Sequence, residues 1–410
     1  MSVEIITLIA LVIAIFIGFK KDINTGIVSI FFAFVVGTFM LGLKGKEIIA
    51  GWPTSLFFIL LGMTFLFSIA DVNGTLELIS RKVAGLAKGN TKLLPIIFFI
   101  MSAIIAAPGP GPVVTTALMA PIAMALAKDE DIPEILMATT VVSGSIAGGL
   151  SPLAATGIIA NSLALGQGLD TSRTVFLTTL LVAIIMGGLF YFIFGGYKLE
   201  RKNGFNGNTE KLNSDQKKTL IVILAVIIGI LFFKWDIGLT AFSGAAVLLL
   251  LNVADEKKAI SAVPWSTLLL VSGVAMLVNV ITIAGGIDAL SNFLAGIMTE
   301  KTAAAIMAVI AGLLSSVSSA SGVVLPTLIP TVPKIVEQVG GANPYALIAA
   351  IVVGAHMVTF SPLSTLGALT LASSNSEKDK QKLFGQLLAV GLSSVAFGGI
   401  LGLLGIYNIF

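Results

Sequence analysis

The stretch Ala107-Pro108-Gly109-Pro110-Gly111-Pro112 lies at the centre of an apolar segment that runs from residue 93 to residue 127. Its prolines remove backbone donors from two successive helical turns, so a continuous helix cannot pass through it. Irregular backbone at membrane depth is tolerated only where protein or a wet cavity surrounds it. We therefore predict a re-entrant hairpin over 93–127, whose two arms enter and leave the membrane on the same face.

The composition is that of a protein with several membrane spans. Of its 410 residues, 56% are hydrophobic and 11% are charged, whereas a soluble domain carries roughly 25% charged residues. There is no cysteine and a single histidine, His356, which excludes thiolate chemistry and a multi-histidine metal site. No Lys-Ser/Thr pair follows the proline-rich stretch, as it would in a phosphate-binding loop. We expect no cofactor, no metal centre and no nucleic-acid partner.

Apolar segments long enough to cross a bilayer recur along the chain. A second interrupted segment, 302–333, breaks at Ser318-Ser319-Ala320-Ser321-Gly322 and predicts a second hairpin. Two crossings, 132–163 and 345–372, contain Ser-Pro-Leu and are predicted to be broken helices. The ten predicted crossings of this all-α integral membrane fold are 3–19, 23–43, 54–73, 132–163, 173–195, 219–233, 237–252, 266–284, 345–372 and 384–408.

Basic residues are distributed unevenly across this topology. One side receives 18 of the 24 Lys and Arg residues, and such an excess marks the cytoplasmic side. We therefore expect a multi-pass protein of the inner (cytoplasmic) membrane with both termini outside. The first hairpin then opens from the cytoplasm and the second from the exterior.

The chain divides into two halves with the same order of features. We predict a first repeat over 1–197, a cytoplasmic linker over 198–218 and a second repeat over 219–410. The break Ser151–Gly157 corresponds to Ser361–Gly367. Each half has five crossings, an odd number, so the repeats must be inverted, as in many secondary transporters. Three shorter matches keep the same order: Phe19–Ile23 with Phe233–Ile237, Asn73-Gly74 with Gly285-Gly286, and Pro121 with Pro333. We interpret the glycine pairs Gly148-Gly149 and Gly187-Gly188 as helix-packing sites.

The two hairpin tips and the two Ser-Pro-Leu breaks are expected to meet near the middle of the membrane. A half-helix that begins after a break presents free backbone donors and can hold a carboxylate, while exposed carbonyls can coordinate Na⁺. No Asp, Glu, Lys or Arg falls near the centre of a predicted span, which favours Na⁺ over proton coupling. The candidate substrate-binding residues are Pro108, Gly109, Pro110, Gly111, Thr115, Thr116, Ser151, Pro152, Thr156, Asn161, Ser319, Ser321, Gly322, Ser361, Pro362, Ser364 and Thr365. The candidate Na⁺ ligands are Ala107, Gly149, Ser151, Ser318, Ser321, Thr359 and Ser361.

His356 lies five residues before Ser361 on the first part of the second broken helix. An ionisable group inside a membrane span is a functional candidate, and here it is a possible proton site. The alternative is a neutral histidine that bonds to a backbone carbonyl inside the bundle.

Three stretches of the first half, Glu47–Phe57, Phe67–Thr75 and Ala147–Pro152, resemble the MatC-type malonate/dicarboxylate carriers. These carriers belong to the ion transporter superfamily, together with the divalent anion/Na⁺ symporters. The resemblance implies inverted repeats with two opposed hairpins, two broken helices, a homodimer and an elevator motion. Those symporters carry Ser-Asn-Thr at both hairpin tips, whereas this chain has Pro108-Gly109-Pro110 and Ser319-Ala320-Ser321.

The leading hypothesis is a secondary transporter, not an enzyme, that couples Na⁺ to the symport of a small dicarboxylate such as malonate or a C4 acid. Its expected partners are a small organic dianion, Na⁺ and the lipid bilayer. The alternatives within transport are proton coupling and another organic anion, such as citrate, lactate or gluconate. An intramembrane enzyme would have to pair His356 with Ser361 or Ser364, without a buried carboxylate to orient the imidazole. A passive anion channel would typically place rings of like residues around an oligomer axis.

Overall fold

The computed structural model of the chain describes residues 2–21, 23–84, 90–200, 211–374 and 377–410. In these ranges the chain is helical and contains no strand. Seven helical segments of the described residues, with Pro344–Ala372 counted as one, are long and apolar enough to cross a membrane, and a further bent pair passes the same test as one unit. The predicted all-α membrane architecture is therefore confirmed, and residues 201–210 of the predicted linker lie outside the described residues.

The elements of the first half occur in an order that the second half repeats. The first-half elements are α1 (Val3–Lys21), α2 (Thr25–Phe39), α3 (Gly45–Ile49), α4 (Thr54–Val72), α5 (Thr75–Ala84), α6 (Leu93–Ala106), α7 (Gly111–Asp129), α8 (Glu134–Gly149), α9 (Ala155–Leu165), α10 (Ser172–Ile193) and the 3-10 turn Gly196–Lys198. The second-half elements are α11 (Ser214–Phe233), α12 (Ile237–Leu250), α13 (Glu256–Ala262), α14 (Trp265–Ile283), α15 (Gly286–Gly296), α16 (Ala303–Ser315), the π turn Ala320–Val324, α17 (Leu325–Leu328), the 3-10 turn Ile329–Thr331, α18 (Val332–Val339), α19 (Pro344–Met357), the 3-10 turn Val358–Phe360, α20 (Thr365–Ala372), α21 (Glu377–Leu403) and the 3-10 turn Ile406–Asn408.

Matching caps fix the correspondence between the halves. The Asn24 side chain accepts a hydrogen bond from the N–H of Gly26 at the start of α2, and the Asp236 side chain accepts one from Leu239 at the start of α12. Such caps satisfy backbone donors that the first turn leaves unpaired. The caps align Asn24 with Asp236, which corrects the predicted alignment of Phe19–Ile23 with Phe233–Ile237 by two residues.

Two glycines turn the chain between a long helix and the short helix that follows it. Gly74 ends the α4–α5 connection with a φ of 74°, and Gly285 ends the α14–α15 connection with a φ of 79°. A left-handed backbone favours glycine because a side chain is strained there. Gly74 therefore corresponds to Gly285, one residue from the predicted match with Gly286.

Both predicted broken helices are interrupted where the Ser-Pro-Leu sequences stand. α8 ends at Gly149 and α9 begins at Ala155, while the 3-10 turn after α19 ends at Phe360 and α20 begins at Thr365. The second predicted hairpin is also bent, by 118° between Ala303–Ser315 and Ala320–Val339. The first is interrupted between α6 and α7, as the prolines predict.

Several of the ten predicted crossings are shorter than a full span. The segments 3–19, 23–43 and 237–252 contain apolar helices below that length. α2, for example, has 15 residues, or about 22 Å at 1.5 Å per residue, against a hydrocarbon core of about 30 Å. α2 ends at Phe39, shortly before the chain turns at Gly42, where φ is 66°.

Two helix pairs join the halves. α2 packs on α14, and α12 packs on α4. Glycines permit the close approach, because a Cβ at Gly26 would overlap the α14 backbone and one at Gly238 would lie 2.8 Å from Phe58. Within each half, α6 packs on α8 and α16 packs on α19. The interrupted elements therefore form their own packed group beside the crossed helix pairs.

Candidate functional site

The first break is tied to the first hairpin tip by a side-chain hydrogen bond. Ser151 Oγ donates to the carbonyl oxygen of Ala107. Ser151 Oγ also accepts a bond from the N–H of Ala154 at 3.2 Å, and the N–H of Ala155 donates to the carbonyl oxygen of Gly109 at 3.4 Å. Ser151 therefore closes the turn of its own break and holds the hairpin tip against it.

The first hairpin tip leaves no room for a side chain. A Cβ at Gly109 would overlap the ring of Phe67, which is itself buried. A Cβ at Gly149 would overlap the ring of Pro112 at the start of α7. The glycines in this region are therefore close-approach positions between the tip, the first break and α4.

The second tip and the second break line a cavity of about 400 Å³. Cavities of a few hundred Å³ are typical of small-molecule sites. The lining comes from both halves and from the α1–α2 connection. The predicted site residues that line it are Thr156, Ser318, Ser319, Ser321, His356, Thr359, Ser364 and Thr365. Its other lining residues are Gly18, Ile23, Asn24, Thr25, Pro112, Val113, Ser266, Leu270, Val317, Ala320, Leu363 and Leu366.

The side chains that line this cavity carry no fixed charge, and His356 is the one titratable residue among them. α20 begins at Thr365, and the side chain of its N-cap residue Ser364 makes no capping hydrogen bond. The first turn of α20 therefore presents backbone donors at the cavity wall, where an anion is stabilised by those donors and the helix dipole. The second tip differs, because Ser319 Oγ accepts a bond of 3.1 Å from the N–H of Gly322.

His356 lines the cavity although only 4% of its surface is exposed. Its Nδ1 lies 2.7 Å from the carbonyl oxygen of Val352, which assigns the proton to Nδ1 because a carbonyl can only accept. Nε2 is then the acceptor nitrogen of the neutral ring. His356 is therefore a backbone-bonded histidine that also borders the cavity, and its role as a proton site stays a prediction.

The other predicted site residues do not line the cavity. They are Ala107, Pro108, Gly109, Pro110, Gly111, Thr115, Thr116, Gly149, Ser151, Pro152, Asn161, Gly322, Ser361 and Pro362.

Three of these residues have local environments that the sequence did not predict. Asn161 Oδ1 accepts a 3.0 Å bond from the N–H of Thr171 and so fixes the connection before α10. Thr115 and Thr116 are fully buried on α7, and neither hydroxyl has a hydrogen-bond partner among the described residues.

Three polar residues of the cavity wall, Asn24, Thr25 and Ser266, were not predicted. Asn24 Nδ2 donates to the carbonyl oxygen of Ser266 at 2.7 Å and to its Oγ at 3.0 Å, while the Asn24 oxygen caps α2. These bonds join the first half to the start of α14 opposite the second tip. The repeat could have indicated Asn24, because Asp236 caps α12 at the corresponding position of the second half.

In fold, the chain is similar to the crystal structure of the YdaH transporter of Alcanivorax borkumensis, which is described as having an unusual topology. The two share 13% sequence identity, the match covers 88% of each chain, and the TM-score is 0.60. At this identity the likeness concerns the fold alone. No curated protein matches the chain in sequence.

The family comparison ends at the first break. Residues 1–149 match the family model described as the dicarboxylate carrier protein MatC N-terminus, and α8 ends at Gly149. Two of the three stretches that carry the resemblance lie wholly inside this region, and the third begins in it. The resemblance to the MatC dicarboxylate carrier family is therefore confirmed over residues 1–149.

Proposed function

We propose that the protein is a Na⁺-coupled symporter of a small dicarboxylate, such as malonate or a C4 acid. The observation that carries this proposal is the cavity of about 400 Å³ onto which the uncapped start of α20 and the hydroxyls of the second hairpin tip open. Helix-end donors hold a carboxylate without a fixed cation. The family match over residues 1–149 supports the dicarboxylate class.

Na⁺ coupling is supported by the oxygen atoms at the interruptions. The Ala107 carbonyl and the Ser151 hydroxyl lie within hydrogen-bonding reach of each other. At the second tip, Ser318 Oγ donates to Leu314 at 2.6 Å and keeps its lone pairs for a cation. Carbonyl and hydroxyl oxygens near broken helices are the ligands that transporters use for Na⁺.

Alternating access by an elevator motion of inverted repeats is the proposed mechanism. The hairpins and broken helices pack on one another beside the crossed pairs α2–α14 and α12–α4, with contacts from the π turn to α14 and from α9 to α4. The cavity reaches Asn24 in the α1–α2 connection, next to the basic pair Lys20-Lys21. If that connection is cytoplasmic, as the charge distribution indicates, the structure corresponds to the inward-facing form, with re-entrant hairpins and both termini outside an inner membrane.

Uptake into proteoliposomes tests the proposal. We expect labelled malonate or a C4 dicarboxylate to accumulate when Na⁺ is high outside, and not when K⁺ replaces it. A panel with citrate, lactate and gluconate establishes the substrate class. The proposal would be overturned if accumulation did not depend on the Na⁺ gradient, or if no dicarboxylate accumulated.

Proton coupling through His356 is the second candidate, because the ring borders the cavity while Nδ1 is already bonded. The His356→Gln variant replaces the imidazole with an amide, which can still donate and accept hydrogen bonds but does not take up a proton. Under this second candidate, a pH gradient drives uptake by the parent protein without Na⁺, and the variant loses that response. Under the leading proposal, the variant keeps its dependence on the Na⁺ gradient.

We also propose a homodimer, which rests on the resemblance alone. Light scattering of the purified protein in detergent, corrected for bound detergent, distinguishes a dimer of 42.4 kDa chains from a monomer.

A further inference from the structure

An apolar groove of about 340 Å³ lies on the outer surface of the first half, between α6, α8 and α10. It shares no lining residue with the cavity described above. Its α10 side includes Ile184 and Phe192, both highly exposed on a helix long enough to span a membrane. The groove therefore faces the region where lipid tails would surround the protein.

The corresponding surface of the second half is closed. Gly398 of α21 corresponds to Gly188 of α10, since each stands seven residues before a glycine of positive φ, Gly405 or Gly195. A Cβ at Gly398 would meet Tyr407, Ala308 and Met357 at 3.7 to 3.9 Å. Tyr407 is fully buried after α21, and its hydroxyl donates to Gly398 at 2.8 Å. In the first half, nothing lies within 4 Å of a Cβ at Gly188, and Tyr197 is 47% exposed. The predicted packing role thus does not extend to Gly188.

One end of the groove is polar and positively charged. Tyr191 lines the groove, and its hydroxyl donates to the carbonyl oxygen of Lys92 at 3.3 Å. Phe192 also lines it, and its ring centroid lies 6.0 Å from that of Tyr197. Lys198 Nζ lies 5.5 Å from the centroid of the Tyr197 ring. Tyrosines and lysines gathered at the end of a span are typical of the headgroup level of a bilayer.

We propose that this groove binds one acyl chain of an anionic phospholipid, whose phosphate lies between the exposed side chains of Lys92 and Lys198. From Ile184 to Tyr191 the groove is about 10 Å long at 1.5 Å per residue. Its occupant must be apolar along this length and negatively charged at one end. An anionic lipid has that combination and is present wherever a membrane protein functions. The proposal is independent of the transport substrate, because the groove and the cavity are separate.

Native mass spectrometry of the purified protein with added phosphatidylglycerol, or phosphatidylcholine of the same chains, tests this site. We expect one phosphatidylglycerol to be retained in preference to phosphatidylcholine. Gly188→Leu fills the groove and should reduce retention about tenfold, as expected when about two CH₂ groups lose their apolar contact. Gly385→Leu, on α21 where a Cβ also meets nothing within 4 Å, is the matched control and should retain lipid normally.

Replacing both basic residues, Lys92→Gln with Lys198→Gln, tests the headgroup half of the proposal without touching the groove. Preference for phosphatidylglycerol should fall about 25-fold, since each lysine near an anionic headgroup contributes about fivefold. Because both lysines are exposed, this variant should fold normally. It therefore tests the preference for phosphatidylglycerol even if Gly188→Leu does not fold. Equal retention of the two lipids by the parent protein, or unchanged retention in Gly188→Leu, would overturn the proposal. A loss of dimer in Gly188→Leu would instead assign the groove to a second copy of the chain.

Discussion

The two hairpin tips occupy corresponding places in the two halves, yet Pro108–Pro110 of the first tip lie away from the cavity, whereas Ser318–Ser321 of the second tip line it. The first is held by the Ser151–Ala107 bond and by the contact of Gly109 with Phe67. The second presents Ser319 and its neighbouring serines to the cavity. The comparison teaches that the halves share their order of helices but not the state of their tips.

The sequences of the tips explain the difference. Pro108-Gly109-Pro110 offers no side-chain donor, and its proline rings restrict φ, so the tip is fixed by packing and by its carbonyl groups. Ser319-Ala320-Ser321 offers hydroxyls and begins a π turn, which Ser319 caps through Gly322. The first tip therefore offers only backbone groups, whereas the second also offers side-chain hydroxyls.

Thiol labelling should give the largest contrast between the tips. The chain contains no cysteine, so single substitutions are read without background. We expect a membrane-impermeant maleimide, applied from the cytoplasmic side without Na⁺, to label Ser321→Cys almost completely. Pro110→Cys at the buried first tip should remain almost unlabelled. Gel-shift analysis after a second thiol reagent measures both fractions.

Substrate gives this contrast an internal control. A dicarboxylate that occupies the cavity should protect Ser321→Cys and leave Pro110→Cys unchanged. Equal labelling of both tips in the absence of Na⁺ and substrate would break the comparison, because the first tip would then be as open as the second.

A methyl group at the first tip should destabilise the protein strongly. In Gly109→Ala the new Cβ overlaps the buried ring of Phe67, and overpacking of this kind costs about 3 kcal/mol at its upper range. At the second tip, a Cβ at Gly322 would lie 2.6 Å from the flexible side chain of Leu270. Gly322→Ala should therefore cost about 1 kcal/mol, the lower end of the range for overpacking. Unfolding by titration with a denaturing detergent measures both changes.

A second substitution distinguishes the clash from other effects of the first tip. Phe67→Leu removes ring atoms from the overlap, so the double variant Gly109→Ala with Phe67→Leu should be more stable than the sum of the single changes implies. Strict additivity would show that the Phe67 contact does not close this tip.

The serines of the two breaks should also differ in their contribution to stability. Ser151→Ala removes the bond to Ala107 and leaves a carbonyl without its partner, which costs about 1.5 kcal/mol. Ser361 accepts a 3.3 Å bond from the N–H of Leu363 within its own turn, so Ser361→Ala should cost about 0.5 kcal/mol. The same detergent titration compares them, and equal losses would argue against a special bond at the first break.

Much of the fold could be predicted because its signals are local. The prolines at Pro108–Pro112 and the Ser-Pro-Leu sequences interrupt helices wherever they stand, and the structure has a break at each. The repeat was visible from the order of these breaks. The predicted alignment paired Asp22 with Asp236 because the two residues are identical. The structure instead pairs Asn24 with Asp236, because these two side chains cap α2 and α12.

The candidate site was less predictable because it depends on which surfaces meet. Uncharged polar side chains on membrane helices look alike in sequence, yet Ser364 borders the cavity while Asn161 accepts a bond from Thr171 in the connection before α10. The closed first tip depends on Phe67, which lies on a helix distant in sequence. Asn24 was missed for the same reason, since it reaches the cavity through its bond to Ser266.

Ser319 should give a small effect and the finest test of the comparison. Ser319→Ala removes the cap on Gly322, which costs about 1 kcal/mol, and it also removes a hydroxyl from the cavity wall. Ser319→Thr keeps both the cap and the hydroxyl. If the second tip binds substrate, Ser319→Ala should raise the KM for dicarboxylate uptake while Ser319→Thr stays close to the parent protein. A rise in KM for both, or for neither, would show that the hydroxyl serves only the π turn, and both tips would then act through their backbones.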